Sequence, residues 1–488
     1  MEDHEQRADL SYLEAIIPIA CLILLVALSY YLFGDAGMSG PNQVALVIAT
    51  MVAVLVAQRR GFTLQELGDA AVASVSSGIG AIFILFAVGA LIGTWAMSGT
   101  LVAMVYYGLQ LLNPDYFYVT AAAICAVVSF GIGSSWTVVG TIGIGLMGIA
   151  INMELNPAIA AGAIISGAYF GDTTSPLSDS ANLAAGVSDT NLYEHVRGVL
   201  PMSLLTLAIT LVIFWFLGSS GTFDASGKLA VIANAFHITP LLFLPLIIVV
   251  ILAIMKFPPF TTIFIGALAG GVLAAFFAPE RVLAFAKLQS GPEWLGLIKG
   301  VWLALANGYV STTGQAMLDQ LATRGGMSSM LNTIWLVITA FAFGGVTEKA
   351  GMLDRLISPI VKAAKSTGRL IASLVASIIA TNIATADQYL SIVLPGRMFK
   401  QAFQTRHIPP KVLSRSLGAA ATPSSALIPW NSCGAYMAAT LGVATFNYAP
   451  YAFFNILSPI IAVITGAFAV GLTSRQTIKA QNGGPYED

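Results

Sequence analysis

Charge is what this chain has least of. Its 488 residues include 22 Lys and Arg and 23 Asp and Glu, 9% of the total, where a soluble domain carries about 25%. With 57% hydrophobic residues and a mean hydropathy of +0.83, that scarcity excludes a water-soluble globule and points to a polytopic membrane protein. The formal net charge of −1 gives no basis for a nucleic-acid partner. The three cysteines, Cys21, Cys125 and Cys433, stand far apart in apolar surroundings. That excludes a disulfide framework or a cysteine-based metal cluster. No small-residue cleavage site follows the charged residues 1–11, so 12–33 reads as a retained first helix and not as a signal peptide. The deepest gap is local: between Gly61 and Val196 there is no Lys or Arg.

Inside that gap lies the stretch 171–182, G-D-T-T-S-P-L-S-D-S-A-N. It follows an apolar run and places two acids, Asp172 and Asp179, at membrane depth, where an ionisable residue is functional by default. Thr173, Thr174, Ser175, Ser178 and Asn182 supply oxygens, and Pro176 removes a backbone donor from the turn. An isolated buried carboxylate takes up a proton or a cation. Hard cations in turn prefer oxygen ligands. Lys349 and Arg397 are the distant cations that would have to reach in if these acids were ion-paired instead.

Several apolar runs, among them 157–170, 370–381, 388–399, 416–428 and 433–442, are too short to cross about 30 Å of hydrocarbon alone. They adjoin polar or Gly/Pro-containing breaks, the mark of discontinuous helices and re-entrant hairpins. Sliding the chain against itself brings Ser76, Ser77, Ile82, Gly93 and Gly99 onto Ser328, Ser329, Ile334, Gly345 and Gly351, and Pro157 and Pro176 onto Pro410 and Pro429. Basic residues then fall on opposite loops of the two copies, which by the positive-inside rule makes the repeats inverted. The basic loops and the N-terminus are expected in the cytoplasm.

The expected fold class is therefore an all-α polytopic membrane protein of two inverted structural repeats with discontinuous helices and re-entrant hairpins, the build of a secondary transporter. N-terminal membrane helices occupy 1–60. The first repeat spans 61–218, with a hairpin tip at 131–141 and a broken helix at 157–187. Linker and scaffold helices fill 219–320. The second repeat spans 321–474, with a tip at 381–389 and a broken helix at 416–442, and a polar tail covers 475–488. Inversion brings the breaks together near the midplane. Asp387 and Asn382 in the second tip and Asn431 in the second break then complete the cation and proton site. Ser134, Ser135 and Thr137 in the first tip and Ser424 and Ser425 beside the second break support it.

The motifs V-G-A-L-I-G-T-W-A-M-S-G-T (88–100), G-S-S-W-T (133–137), G-A-Y-F-G-D-T-T-S-P-L-S-D-S-A-N-L-A (167–184), T-N-I-A-T-A-D-Q-Y-L-S-I-V-L-P-G-R-M-F (381–399) and L-I-P-W-N-S-C-G-A (427–435) resemble the NhaC-type sodium/proton antiporters across nearly the whole chain. That resemblance implies exchange of Na+, and of Li+ as a further candidate, for H+ by alternating access. Asp172, Asp179 and Asp387 are the coupling acids it suggests, with Na+ at all three. It implies no cofactor, a multi-pass location in a prokaryotic inner membrane, and the lipid bilayer as surroundings. The oligomeric state stays open, a homodimer included. The family also contains exchangers of small organic acids such as malate or lactate. The chain departs from the family pattern at Thr173, where Lys is common, and at Gly418 and Ala419, where an acidic pair is common.

Simpler roles stand beside these. Asp172 and Asp179 can cap helices. Asn382, Asn431 and the break serines can satisfy broken backbone, and Trp136 and Trp430 can act as packing wedges. Glu348 and Lys349 read as a helix-edge pair, and the four histidines as surface residues. Two other classes fit less well. An intramembrane aspartyl hydrolase gives no reason for broken helices in both halves, and a passive channel has little use for buried titratable acids.

Overall fold

The structure is a computed structural model that describes residues 10–218, 226–312, 314, 319, 322–364 and 366–466. The polar tail at 475–488, the first nine residues and Lys365 of one basic loop lie outside the described residues. Among those described, nine helices are long and apolar enough to cross a membrane. Two bent pairs, Ser226–Ala235 with Pro240–Ile254 and Thr445–Tyr451 with Phe453–Gly466, bring the number to eleven if each counts as one span. The described residues form no strand beyond an isolated bridge between Tyr309 and Arg324. Helices satisfy their own backbone, which hydrocarbon demands. Their outer faces stay apolar: Phe216 is 81% exposed and Leu13 74%.

Local signals set the helix ends. Ser11 with Glu14 and Thr63 with Glu66 form reciprocal capping boxes at Tyr12–Phe33 and Leu64–Ser77. Each half then runs through a long span, a left-handed glycine and a shorter helix. In the first half these are Ile79–Ser98, Gly99 and Thr100–Leu111. In the second they are Leu331–Lys349, Gly351 and Met352–Ala363.

A hairpin and a broken helix follow in each half. The first hairpin pairs Phe117–Ile132 with Ser135–Asn152, and the backbone N–H of Asn156 donates to Tyr118 Oη at 3.0 Å where the chain returns to its starting level. The turn is confined to Gly133 and Ser134, and the rest of the expected tip is already returning helix, with a π-helical turn at Val139–Gly143. The second hairpin joins Thr367–Thr385 to Gln388–Thr405 through Ala386 and Asp387, and the Arg406 guanidinium donates to the Ala364 carbonyl at its open end. The apolar runs at 370–381 and 388–399 thus understate helices of 19 and 18 residues. The first broken helix is Pro157–Thr174 and Asp179–Val187, and the second is Pro410–Ser425 and Ser432–Leu441.

Small residues let these pieces touch. A Cβ on Gly167 would run into the Ala122 carbonyl, and one on Gly171 into the backbone at Ser129 and Phe130, so helix Pro157–Thr174 lies directly on Phe117–Ile132. The halves meet where Tyr436 stacks on Trp136 at 4.1 Å and its hydroxyl donates to the Trp136 carbonyl at 2.7 Å. Loops expected on one membrane face do adjoin. Arg355 sits over the Tyr12 ring, Arg60 pairs with Glu14, and Lys400 pairs with Asp189 at 2.5 Å.

Candidate functional site

A cavity of about 770 Å³ opens where the first hairpin tip meets the first break, and Asp172, Asp179 and Asp387 all line it. Asp172 lies in the last turn of Pro157–Thr174 and is 6% exposed. Its Oδ2 accepts from the Ser135 hydroxyl at 2.6 Å and the Ser135 N–H at 3.2 Å. Its Oδ1 accepts from the hydroxyls of Ser178 at 2.8 Å and Ser180 at 3.2 Å. Ser135 opens helix Ser135–Asn152, and Ser178 is the N-cap of Asp179–Val187. The carboxylate is therefore held between two helix N-termini, whose partial positive charge and free donors favour an anion. Among the described residues no Lys or Arg forms an ion pair with Asp172, Asp179 or Asp387.

The other acids sit differently. Asp179 is the first residue of its helix and is exposed to the cavity, with Asn182 one turn on. Asp387 is the N-cap of Gln388–Thr405 and accepts the Leu390 N–H at 2.8 Å. Among the described residues no three His, Cys, Asp or Glu side chains come close enough to share a metal ion. Asp172, Asp179 and Asp387, the residues expected to hold Na+, are three carboxylates around one cavity, each anchored to a different helix end.

The hydroxyls and amides divide in the same way. Thr173 and Thr174 donate to the carbonyls of Tyr169 and Phe170 in their own helix. Ser175 accepts from the Leu177 N–H. Ser134 caps Thr137, and both line the cavity. Asn382 donates to the Ala421 carbonyl and to Ser424, and its side-chain oxygen accepts from Asn431 at 3.1 Å. Ser425 reaches Gln388 at 3.4 Å. These last four tie the second tip to the second break instead of lining the cavity. Trp430 donates to the Ile383 carbonyl at 2.7 Å, a wedge with a partner.

Two residues were missed. Lys256 lines the cavity, arriving from the linker at a left-handed position ahead of Pro258 and Pro259. It was visible as the sole charge between residues 238 and 279. His195 is not a surface residue: it is fully buried in Leu192–Phe216, and its Nδ1 lies 2.7 Å from Ser414 Oγ. Its correction comes from packing, since the facing residue Gly418 leaves room for the ring.

Two hairpins whose tips meet two broken helices around an acid-lined cavity, within a helical membrane protein, define a secondary transporter. The model of the Na+/H+ antiporter family matches residues 167–470. The Na(+)/H(+) antiporter NhaC of Alkalihalophilus pseudofirmus is 35% identical over 90% of this chain and 93% of its own length. The malate-2H(+)/Na(+)-lactate antiporter of Bacillus subtilis is 33% identical over 96% of this chain and 97% of its own. The arginine/ornithine antiporter ArcD of Halobacterium salinarum is 35% identical over 95% and 93%. The chain belongs to the Na+/H+ antiporter family, and it is a multi-pass membrane transporter.

Proposed function

We propose that this protein exchanges Na+ for H+ by alternating access, with Asp172 as the group for which proton and cation compete. One observation carries the reading: a buried carboxylate with four donors and, among the described residues, no ion-pair partner, at the edge of a cavity. Ser135, Ser178 and Ser180 orient both oxygens, and their own oxygens remain acceptors for a hard cation. Asp179 and Asp387 add negative charge along the cavity, and Li+ fits the same donor chemistry. The two hairpin and broken-helix units act as oppositely oriented repeats that expose the site to one side and then the other, with the basic loops and the N-terminus cytoplasmic. In proteoliposomes, Asp172→Asn should abolish the Na+-dependent pH change while the protein stays folded. Full exchange by that variant would sink the assignment.

A second reading is favoured by the cavity itself. About 770 Å³ is far more than a bare cation needs and falls in the range of small-molecule sites. Lys256 supplies a positive group for a carboxylate, and two of the relatives are named for organic cargo. Uptake of labelled malate, lactate and arginine, set against Na+ alone, separates the two readings. Organic uptake that Lys256→Gln eliminates would establish the second.

A further inference from the structure

On the far side of the second broken helix, three basic residues converge around a single acid, Glu194. Arg197 comes from the first turns of helix Leu192–Phe216, and Lys411 and Arg415 from those of Pro410–Ser425. They line a separate pocket of about 630 Å³. Among the described residues none of the three forms an ion pair. The only acid in the lining, Glu194, is held by the Thr190 hydroxyl at 3.1 Å. Arg415 is half-buried, and one arm of its guanidinium reaches toward the Thr465 carbonyl at 3.5 Å.

Two features say what such a pocket takes. Two long helices begin beside this pocket, so their positive ends add to the side-chain charge. Guanidinium forks and a lysine are the donors that match phosphate oxygens. The pocket floor is apolar, made by Pro201, Met202 and Leu205. From Leu205 a row continues along one helix face through Ile209 and Val212, which are 51%, 38% and 55% exposed. The spacing of four and three residues keeps them in line. A charged head site opening onto an apolar track along a membrane helix fits a lipid better than a free anion.

We propose that this pocket binds the phosphate of an anionic membrane lipid, with an acyl chain laid along Leu205, Ile209 and Val212. The lipid clamps helix Leu192–Phe216 to the second broken helix at one membrane face, the setting in which basic pockets between helices hold anionic headgroups. Independently of what is transported, it makes this junction sensitive to lipid composition.

The test titrates the full-length protein in dodecyl maltoside with dioctanoyl phosphatidylglycerol, dioctanoyl phosphatidylcholine or inorganic phosphate, counting bound molecules by native mass spectrometry. Phosphatidylglycerol should bind at least ten-fold more tightly than phosphatidylcholine. The triple variant Arg197→Gln, Lys411→Gln, Arg415→Gln should weaken it on the order of a hundred-fold, about five-fold for each charge near the surface. Should the triple variant fail to fold, exposed Lys411→Gln alone should weaken binding about five-fold, and Glu194→Gln should strengthen it by a similar factor. Equal binding of the two lipids, or affinities unmoved by these substitutions, overturns the proposal. Displacement of phosphatidylglycerol by millimolar inorganic phosphate also overturns it, by making the pocket a free-anion site.

Discussion

Gly133 is the residue on which the geometry at Asp172 turns, and Gly133→Ala is the substitution that tests it. The glycine ends helix Phe117–Ile132 at φ +79°, and its N–H donates to the Ser129 carbonyl at 2.7 Å. A Cβ there would lie 2.7 Å from the Leu177 carbonyl carbon and 2.8 Å from the Ser178 nitrogen, both backbone atoms of the first break. The left-handed conformation costs an alanine about 1–2 kcal/mol. Overpacking against atoms that cannot rotate away adds about 1–3 kcal/mol. The relief available is for the break to move, and Ser178 moves with it. Its 2.8 Å bond to Asp172 is then lengthened or lost. A hydrogen bond to a charged group contributes about 1.5–3 kcal/mol, so half-saturating Na+ should rise on the order of 10- to 100-fold. Gly131→Ala is the control, since its Cβ meets nothing within 4 Å and the position is helical. It should leave Na+ dependence unchanged and raise stability by up to about 1 kcal/mol. Na+-dependent pH change in proteoliposomes and thermal unfolding in detergent measure both variants. Wild-type Na+ dependence and an unchanged melting midpoint in Gly133→Ala would refute the coupling between tip, break and carboxylate.

Tyr436→Phe removes the hydroxyl bonded to the Trp136 carbonyl at 2.7 Å but keeps the ring stack, so it should cost about 1 kcal/mol in thermal unfolding; an unchanged midpoint would deny that this bond joins the halves. In the loop after the first hairpin, the Lys228 ammonium beside Glu154 at 2.7 Å holds that carboxyl below its ordinary value of 4.5. A lowered acid stabilises the fold above its unfolded value, and the contribution fades as pH falls through the folded one. The melting difference between wild type and Lys228→Gln should therefore be full above pH 4.5 and shrink below it, and a pH-independent difference would contradict the pairing.

The breaks were legible because membrane helices are interrupted at visible cost. Gly171, Pro176 and the flanking hydroxyls mark the first break, and the structure places it at residues 175–178. The two hairpins were legible for the same reason, although Gly133 with Ser134 and Ala386 with Asp387 suffice to turn the chain. Side-chain direction was not legible. Thr173 and Thr174 look like ligands by type, yet a threonine in a helix has the carbonyl one turn back within reach, and both use it. Long-range arrivals were hidden as well. Lys256 reaches the cavity only because the linker packs beside the first hairpin, and Ser414 shields His195 across 219 positions of sequence. The gap in basic residues implied an unpaired Asp172, and among the described residues no Lys or Arg forms an ion pair with it. What it could not show is that two helix N-termini stand where a lysine would otherwise be needed.

The two halves build the same joint with different chemistry, and that difference singles out Asp172. At the offset of 253 that aligns Pro157 with Pro410 and Pro176 with Pro429, Asp172 aligns with Ser425, Ser135 with Gln388, Ser178 with Asn431 and Ser134 with Asp387. In the first half, Asp172 accepts from Ser135 across the gap between break and tip. In the second, the Ser425 hydroxyl, which donates to the Thr422 carbonyl at 2.7 Å, lies 3.4 Å from the Gln388 side-chain amide oxygen across the equivalent gap. Ser178 caps the helix after the first break, and Asn431 caps the helix after the second. Ser134 and Asp387 each cap the helix that returns from a tip. The contact that holds a tip to a break is therefore achieved by neutral groups in one half. A carboxylate in the same place in the other half is not needed for the joint, and burying it is costly without a proton or a cation. Asp387, by contrast, occupies a position that a serine fills in the first half, so its capping role accounts for its place and its charge is an addition to the cavity. The proposed exchange therefore assigns the binding and release of an ion to the acid that the joint does not require.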